Sequence, residues 1–473
     1  MTRSKLWSQG LKISLATLAL GASVSLLPGP AWGARCVNTG GTAGCYSTLQ
    51  AAVDAAGAGE TVTIRPGIYN QTVRIISPKV GLRLVGGGVN ASQVVISGFG
   101  LGGDTINVQA YGVRIQKLTV AATTGVGIRS TAGAPGLLVS GVTVRTSNAS
   151  GVLLEDSGEV RNSTFIACST GVYASSSALN VVIRQNSFSN CNNAIYSQAP
   201  STLVTGNAIV SGSQGIYVSN GVLGQILNNS VRDCSGNGIV ASGTPKSTAV
   251  MIVKNNLVEG GNQGISATGP VLDLEKNTVR GASQKGIEFT CETATGSALR
   301  NNVVEGSQSG FVVSNTDPAV GLAISGNVAR GASTVGFQID GEDNTVEKNA
   351  ASLCGMNLNG GGFNINGSGN TVRNNKAINN GWVGITIREN TVAELNTASG
   401  NAIGILLNGN LNTVQNNIAR SNALYGIKVD AAAASNTVQG NVARSNIAVD
   451  FCNAGTLTST SLNSFGTTGT SCP

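Results

Sequence analysis

The sequence predicts an all-β solenoid of parallel strands that completes one turn about every 23 residues. Two recurring patterns carry this expectation. The first is a glycine followed by alternating apolar residues, seen at Gly151–Leu154, Gly215–Val218, Gly310–Val313, Gly336–Ile339, Gly384–Ile387 and Gly426–Val429. An apolar period of two belongs to a strand, not a helix. Equivalent positions run from Gly127 to Ala448 in fourteen steps over 321 residues, which gives the period. Units of this length with short strands stack as solenoid turns.

The second pattern is an asparagine once per unit: Asn186, Asn207, Asn229, Asn256, Asn277, Asn302, Asn327, Asn349, Asn375, Asn396, Asn417 and Asn441. Strands in a parallel stack lie about 4.8 Å apart, close enough for one side-chain amide to bond the next. A buried column of such amides satisfies itself, where a single buried amide would be costly. A shorter column follows at Asn380, Asn401, Asn422 and Asn446.

Taken in order, residues 1–33 read as a signal peptide. Arg3, Lys5 and Lys12 precede an apolar run from Ile13 to Leu27, which is too short to span a bilayer, and Ala31 and Gly33 are small enough for cleavage. No later segment is apolar enough to cross a membrane. Export predicts a secreted, periplasmic or cell-surface protein with disulfides. Of nine cysteines, Cys36 and Cys45 bracket an initial loop and Cys452 and Cys472 bracket the tail, so each pair suits a staple. Cys168 and Cys191 fall at nearly the same point of adjacent turns, which permits a bond. Nine is odd, so at least one thiol is free, and Cys234, Cys291 and Cys354 read as small buried hydrophobes.

Residues 34–60 are expected to hold the disulfide loop and a helix over 47–56, capped by Ser47, with Leu49, Ala52, Val53 and Ala56 as its apolar stripe. Strands are expected at Thr61–Ile64, Thr72–Ile75, Leu82–Leu84 and Val94–Ile96. The solenoid is expected over 61–451, and a disulfide cap over 452–473. Gly accounts for 65 of 473 residues, and its fixed place in the repeat argues for turns rather than disorder.

These repeats are similar to those of right-handed parallel β-helix proteins of the pectin-lyase-like superfamily. They look closest to the secreted β-helix-repeat proteins that include periplasmic copper-enzyme maturation factors. The resemblance covers roughly residues 45–451 and implies a single-stranded right-handed β-helix. The helix, the Thr61–Tyr69 segment and the Leu84–Gly87 segment resemble the opening of pectinesterase-like β-helices. There a helix plugs the N-terminal end, so a capping helix is implied here.

Composition narrows the function. Without the signal the chain carries 26 Lys and Arg against 22 Asp and Glu, a net charge of +4, with no dense basic run. Nucleic acid is therefore not an expected partner. The sequence contains no histidine, which removes Ser–His–Asp and Cys–His catalysis and imidazole metal sites. Carboxylates with Arg or Lys remain, with or without calcium. Glu155, Asp156 and Glu159 form one acidic group, which reads as a solvated turn or a calcium site. Asp340, Glu342 and Asp343 form another, the candidate metal ligands, although Asn344 beside them recurs as Asn370, Asn390, Asn412 and Asn436 in Asn-Thr-Val turns. No cofactor is expected, and calcium is compatible with the acidic groups. Arg232, Glu259, Arg280, Glu305 and Arg330 alternate in sign at one position of successive turns, as an ion-pair row would.

Tyr173, Tyr196 and Tyr217 occupy one column in three turns and point outward by alternation. As exposed rings they would offer faces to sugars, with Ser175, Ser197 and Ser219 beside them; as a cross-strand stack they would only stiffen the sheet. Trp382 is a further candidate carbohydrate contact. Two readings follow. One is a monomeric exported protein that binds polysaccharide or another cell-envelope glycan on its solenoid surface. The other is a polysaccharide lyase or glycoside hydrolase using carboxylates and Arg.

Overall fold

The computed structural model describes residues 35–473 apart from 222, 244–249, 318, 357–359, 471 and 473. The expected signal, residues 1–33, lies outside the described residues. Two parallel sheets wind around one apolar core. A sheet of 19 strands takes one strand from each turn, which makes about 18 turns. A sheet of 32 takes the rest, some joined into long bent strands such as Thr164–Ala174 and Ser187–Ser197.

Each turn bends where the main asparagine column sits. The residue before every ladder asparagine is left-handed: Gln185, Asn228, Asn255, Lys276, Asn301 and Asn374 have φ of 55°, 56°, 56°, 55°, 57° and 57°. Asn and Gly tolerate that region best, which accounts for the Asn-Asn pairs at 255–256, 301–302, 374–375 and 416–417. The ladder runs unbroken from Asn186 to Asn441 and goes one rung further, to Asn463. Ser163 begins it by donating its backbone N–H to Asn186 Oδ1 at 3.0 Å. The shorter column also stands, and Asn446 ends it on the Asp450 carboxylate at 2.8 Å.

Inward residues stack on their own kind. Phe311, Phe337 and Phe363 lie face to face with centroids 4.6 and 4.7 Å apart, and Phe165 lies on Phe188 at 4.8 Å. The repeat glycines allow this close approach. They sit inside strands with ordinary φ and not in turns: a Cβ on Gly336 would lie 2.7 Å from the Gly362 carbonyl oxygen.

The helix spans Leu49–Ala55, shorter than expected, and Thr48 caps it in place of Ser47 by accepting from the Ala51 N–H at 3.2 Å. Its Leu49, Ala52 and Val53 are buried in the same core as Val37 and Val62. Strand bounds shift by a residue or two, to Val73–Ile76, Arg83–Gly86 and Val94–Ser97. The coil also reaches beyond both expected limits. Arg35–Val37 pairs with Val62–Ile64, and Ser459–Ser461 pairs with Thr437–Gln439. Cys36–Cys45 and Cys452–Cys472 are disulfides, while Cys168, Cys191, Cys234, Cys291 and Cys354 are buried free thiols.

Candidate functional site

The tyrosine column forms as the alternation requires. Tyr173 pairs in register with Tyr196, and Tyr196 with Tyr217, on the outer face of the 32-strand sheet. Centroids lie 5.4 and 4.9 Å apart, at interplanar angles of 43° and 23°. Tyr196 and Tyr217 stack and Tyr173 is tilted over Tyr196, so the sides that the three rings turn to one another are covered. The strip therefore presents ring edges and hydroxyls outward, not the flat platforms that the exposed-ring reading requires. Gln198 joins the hydroxyls: Tyr173 donates to its Oε1 at 2.8 Å, and its Nε2 donates to Tyr196 at 3.2 Å. Ser197 is not beside the rings. It follows Tyr196 by one residue, so it points inward, where it is buried against Thr202 at 2.7 Å. Trp382 is 38% exposed at a turn seven coils from Tyr217, roughly 34 Å away at the strand spacing, so it shares no site with the tyrosines.

A few residues earlier on the same strands lies a feature the sequence reading missed. The chain bends at Ala167, Asn190 and Ser211, each with left-handed φ. The bends stack into a groove of about 680 Å³ lined by Asn148, Ser169, Asn190, Asn192 and Ser213, with Cys168 in its wall. No charged side chain lines it. The sequence signal was present, in the polar residues at matched offsets from the ladder asparagines, but it was scattered over Ser and Asn and so formed no motif.

The acidic groups do not converge. Glu155 pairs with Arg129 at 2.5 Å, Glu159 with Arg184 at 2.7 Å, and Asp156 accepts from the Gly133 and Ser157 N–H groups. Asp340 accepts from Gln338 at 2.8 Å and Asn366 at 2.7 Å, while Glu342 and Asp343 face solvent separately. Asn344 belongs to a third column, in which Asn344 N–H donates to Asn370 Oδ1 and Asn412 N–H to Asn436 Oδ1, both at 2.9 Å. Asn390 stands one residue outside that column, and Thr391 takes its place. Among the described residues, no three His, Cys, Asp or Glu are grouped to hold a metal.

The charge row behaves as expected. Arg232–Glu259, Glu259–Arg280, Arg280–Glu305 and Glu305–Arg330 lie at 3.1, 3.4, 3.0 and 3.7 Å. A second row was missed on the 19-strand sheet, two residues before the ladder asparagines. There Lys254 and Arg300 flank Asp273 and Glu275 at 2.6–3.3 Å, and Arg373 pairs with Glu347 at 2.5 Å. Arg300, with help from Lys254 and Lys276 and against some desolvation, holds the Glu275 carboxyl down to about 2.

The family description "Right handed beta helix region" matches residues 124–270 and 319–465, more than half the chain. The chain belongs to this right-handed β-helix family. A second description, "Periplasmic copper-binding protein (NosD)", matches residues 201–350 of the β-helix. No curated protein matches it. Solved structures similar to it include YbhC of Escherichia coli, 16% identical over 52% of this chain and 77% of that one, with a TM-score of 0.33. An alginate lyase from Paenibacillus is 16% identical over 62% and 95%, with a TM-score of 0.32. The mannuronan C-5 epimerase AlgE4 A-module of Azotobacter vinelandii is 15% identical over 89% and 94%, with a TM-score of 0.20. Likeness at this level transfers no residue roles.

The residues of the β-helix do not fit copper in the matched segment. Imidazole is missing from the sequence, and Cys234, Cys291 and Met251 are buried on separate turns. Burial pushes the Cys234 thiol up to about 11 and the Cys291 thiol up to about 12, so neither offers a thiolate. Among the described residues, no helix is long and apolar enough to cross a membrane.

Proposed function

We propose that this β-helix is an exported, non-catalytic protein that holds a polysaccharide or another cell-envelope glycan on the outer face of turns 143–221. The observation that carries this reading is the uncharged groove of about 680 Å³ lined by Asn and Ser, next to a strip of tyrosine hydroxyls and Gln198. Amides and hydroxyls both donate and accept, as sugar hydroxyls do. The groove is built on strands paired in register across neighbouring turns, which holds its lining residues in place for binding. Glu155 and Glu159 are taken up by ion pairs and Asp156 by backbone donors, and these acids do not converge with Asp340, Glu342 and Asp343, which favours binding over bond cleavage.

The test is retention of the purified chain on a panel of immobilised glycans. Asn192 is exposed, so Asn192→Ala opens no cavity. The expected result is weaker retention at an unchanged melting temperature. Tyr196→Ala should lower both retention and melting temperature, because Tyr196 sits between two stacked rings. Failure of the unaltered chain to bind any glycan on the panel would overturn the reading.

A further inference from the structure

A second groove, of about 520 Å³, lies some turns earlier, at the corner leading into the 19-strand sheet. Its floor is a column of left-handed glycines. Gly81, Gly112 and Gly136 have φ of 68°, 69° and 80°, and each would place a Cβ only 3.5–3.8 Å from the Cα of the glycine one turn before. The corner therefore carries no side chains for four turns.

Arg83 and Arg114 stand on one side of this channel. They are register partners on neighbouring strands, both exposed, with Thr61 before them in the column and Leu138 after. Neither has an ion-pair or side-chain hydrogen-bond partner among the described residues. Like charges at paired positions repel. Elsewhere on this sheet the chain avoids that arrangement: Arg161 and Arg184 share Glu159, and Arg300 and Lys254 share Asp273 and Glu275. Arg420 and Arg444 are also register partners, but on the 32-strand sheet, and there Arg444 donates to the Ser464 hydroxyl. Tyr111 projects over the same channel, 57% exposed, with its ring edge 3.7 Å from the Cβ position of Gly136.

We infer that Arg83 and Arg114 clamp a carboxylate or sulfate group of an acidic polysaccharide laid in this glycine-floored groove, with Tyr111 against the adjoining sugar. Guanidinium forks bond two oxygens of a carboxylate or of a tetrahedral oxyanion at once, and two of them about 4.8 Å apart can flank one such group. The anion supplies the counter-charge that the column itself lacks. This inference rests on the glycan-binding reading and deepens it: one stretch of the solenoid takes neutral hydroxyls, and another takes acidic groups.

The test compares mobility of the purified chain through gels containing polygalacturonate, chondroitin sulfate or dextran at low ionic strength, with free inorganic sulfate as competitor. Arg83→Gln with Arg114→Gln should weaken binding to the acidic polymers about tenfold or more and leave dextran mobility unchanged. Arg83→Lys with Arg114→Lys, which keeps the charge but not the fork, should retain only part of the binding. Equal melting temperatures would show that both variants fold. Unchanged acidic binding in the Gln variant, an unaltered chain that binds no acidic polymer, or binding of inorganic sulfate alone would each overturn the inference. The two readings separate in the same gels. Loss of acidic binding in the arginine variant with no effect of Asn192→Ala on any glycan supports this site and counts against the groove on turns 143–221. The reverse pattern sinks this site only.

Discussion

Asn327 shows what a single residue does in this fold. Its amide donates to Asn349 Oδ1 at 3.0 Å and to the Leu299 carbonyl at 2.9 Å, and its oxygen accepts from the Asn302 backbone and side chain at 2.9 and 3.0 Å. Asn327→Leu strands the Asn302 N–H and the Leu299 carbonyl in a dry column. The expected cost is about 1–3 kcal/mol, read as a lower midpoint in denaturant unfolding, and an unchanged midpoint would mean the column is not a buried ladder. Glu275 gives a pH prediction. Its pKa is lowered on folding, from an ordinary 4.5 to about 2, so its ion pairs add stability above pH 4.5 and lose it as pH falls towards 2. Melting temperatures should therefore fall more steeply across that window for the unaltered chain than for Glu275→Gln.

The helix and the charge rows belong to the scale of elements. A helix of seven residues leaves most of its terminal N–H groups without internal partners, so its cap matters. Thr48→Ala should cost about 0.5–2 kcal/mol and Ser47→Ala close to nothing, which denaturant melts of the two variants would show. In the Arg232–Arg330 row the opposite signs set the register of successive strands. Glu305→Lys would line up three cations at 280, 305 and 330, so its melting temperature should drop at low salt and recover in high salt. An equal drop at both salt concentrations would point to lost packing instead.

For the whole molecule, nine cysteines divide into two staples and five buried thiols. Mass spectrometry of the unreduced chain should find Cys36 linked to Cys45 and Cys452 linked to Cys472. A thiol reagent should find almost nothing to react with in the native protein and five thiols after unfolding, since all five are buried and burial pushes the Cys234 and Cys291 thiols up to about 11 and about 12. Rapid modification of the native chain would mean that the turns around Cys168 and Cys191 open readily.

The sequence alone determined the solenoid, its period and its ladders, because each turn meets only its neighbours and every position repeats in one column. A residue's partner is thus found by counting about 23 residues along the chain, as Asn302 to Asn327 or Glu305 to Arg330 shows. It also determined that Tyr173, Tyr196 and Tyr217 share a column. Only the tertiary structure decided what the column offers, since side-chain torsions and the turn spacing, not alternation, set whether rings stack face to face or lie open. The same holds for the Asn/Ser groove and for Arg83 beside Arg114. Arg83 and Arg114 are 31 residues apart, longer than the period, because an irregular early turn lies between them, so counting along the repeat does not pair them. Columns follow from periodicity, but grooves come from the bends and loop lengths between strands, where the repeat is loosest.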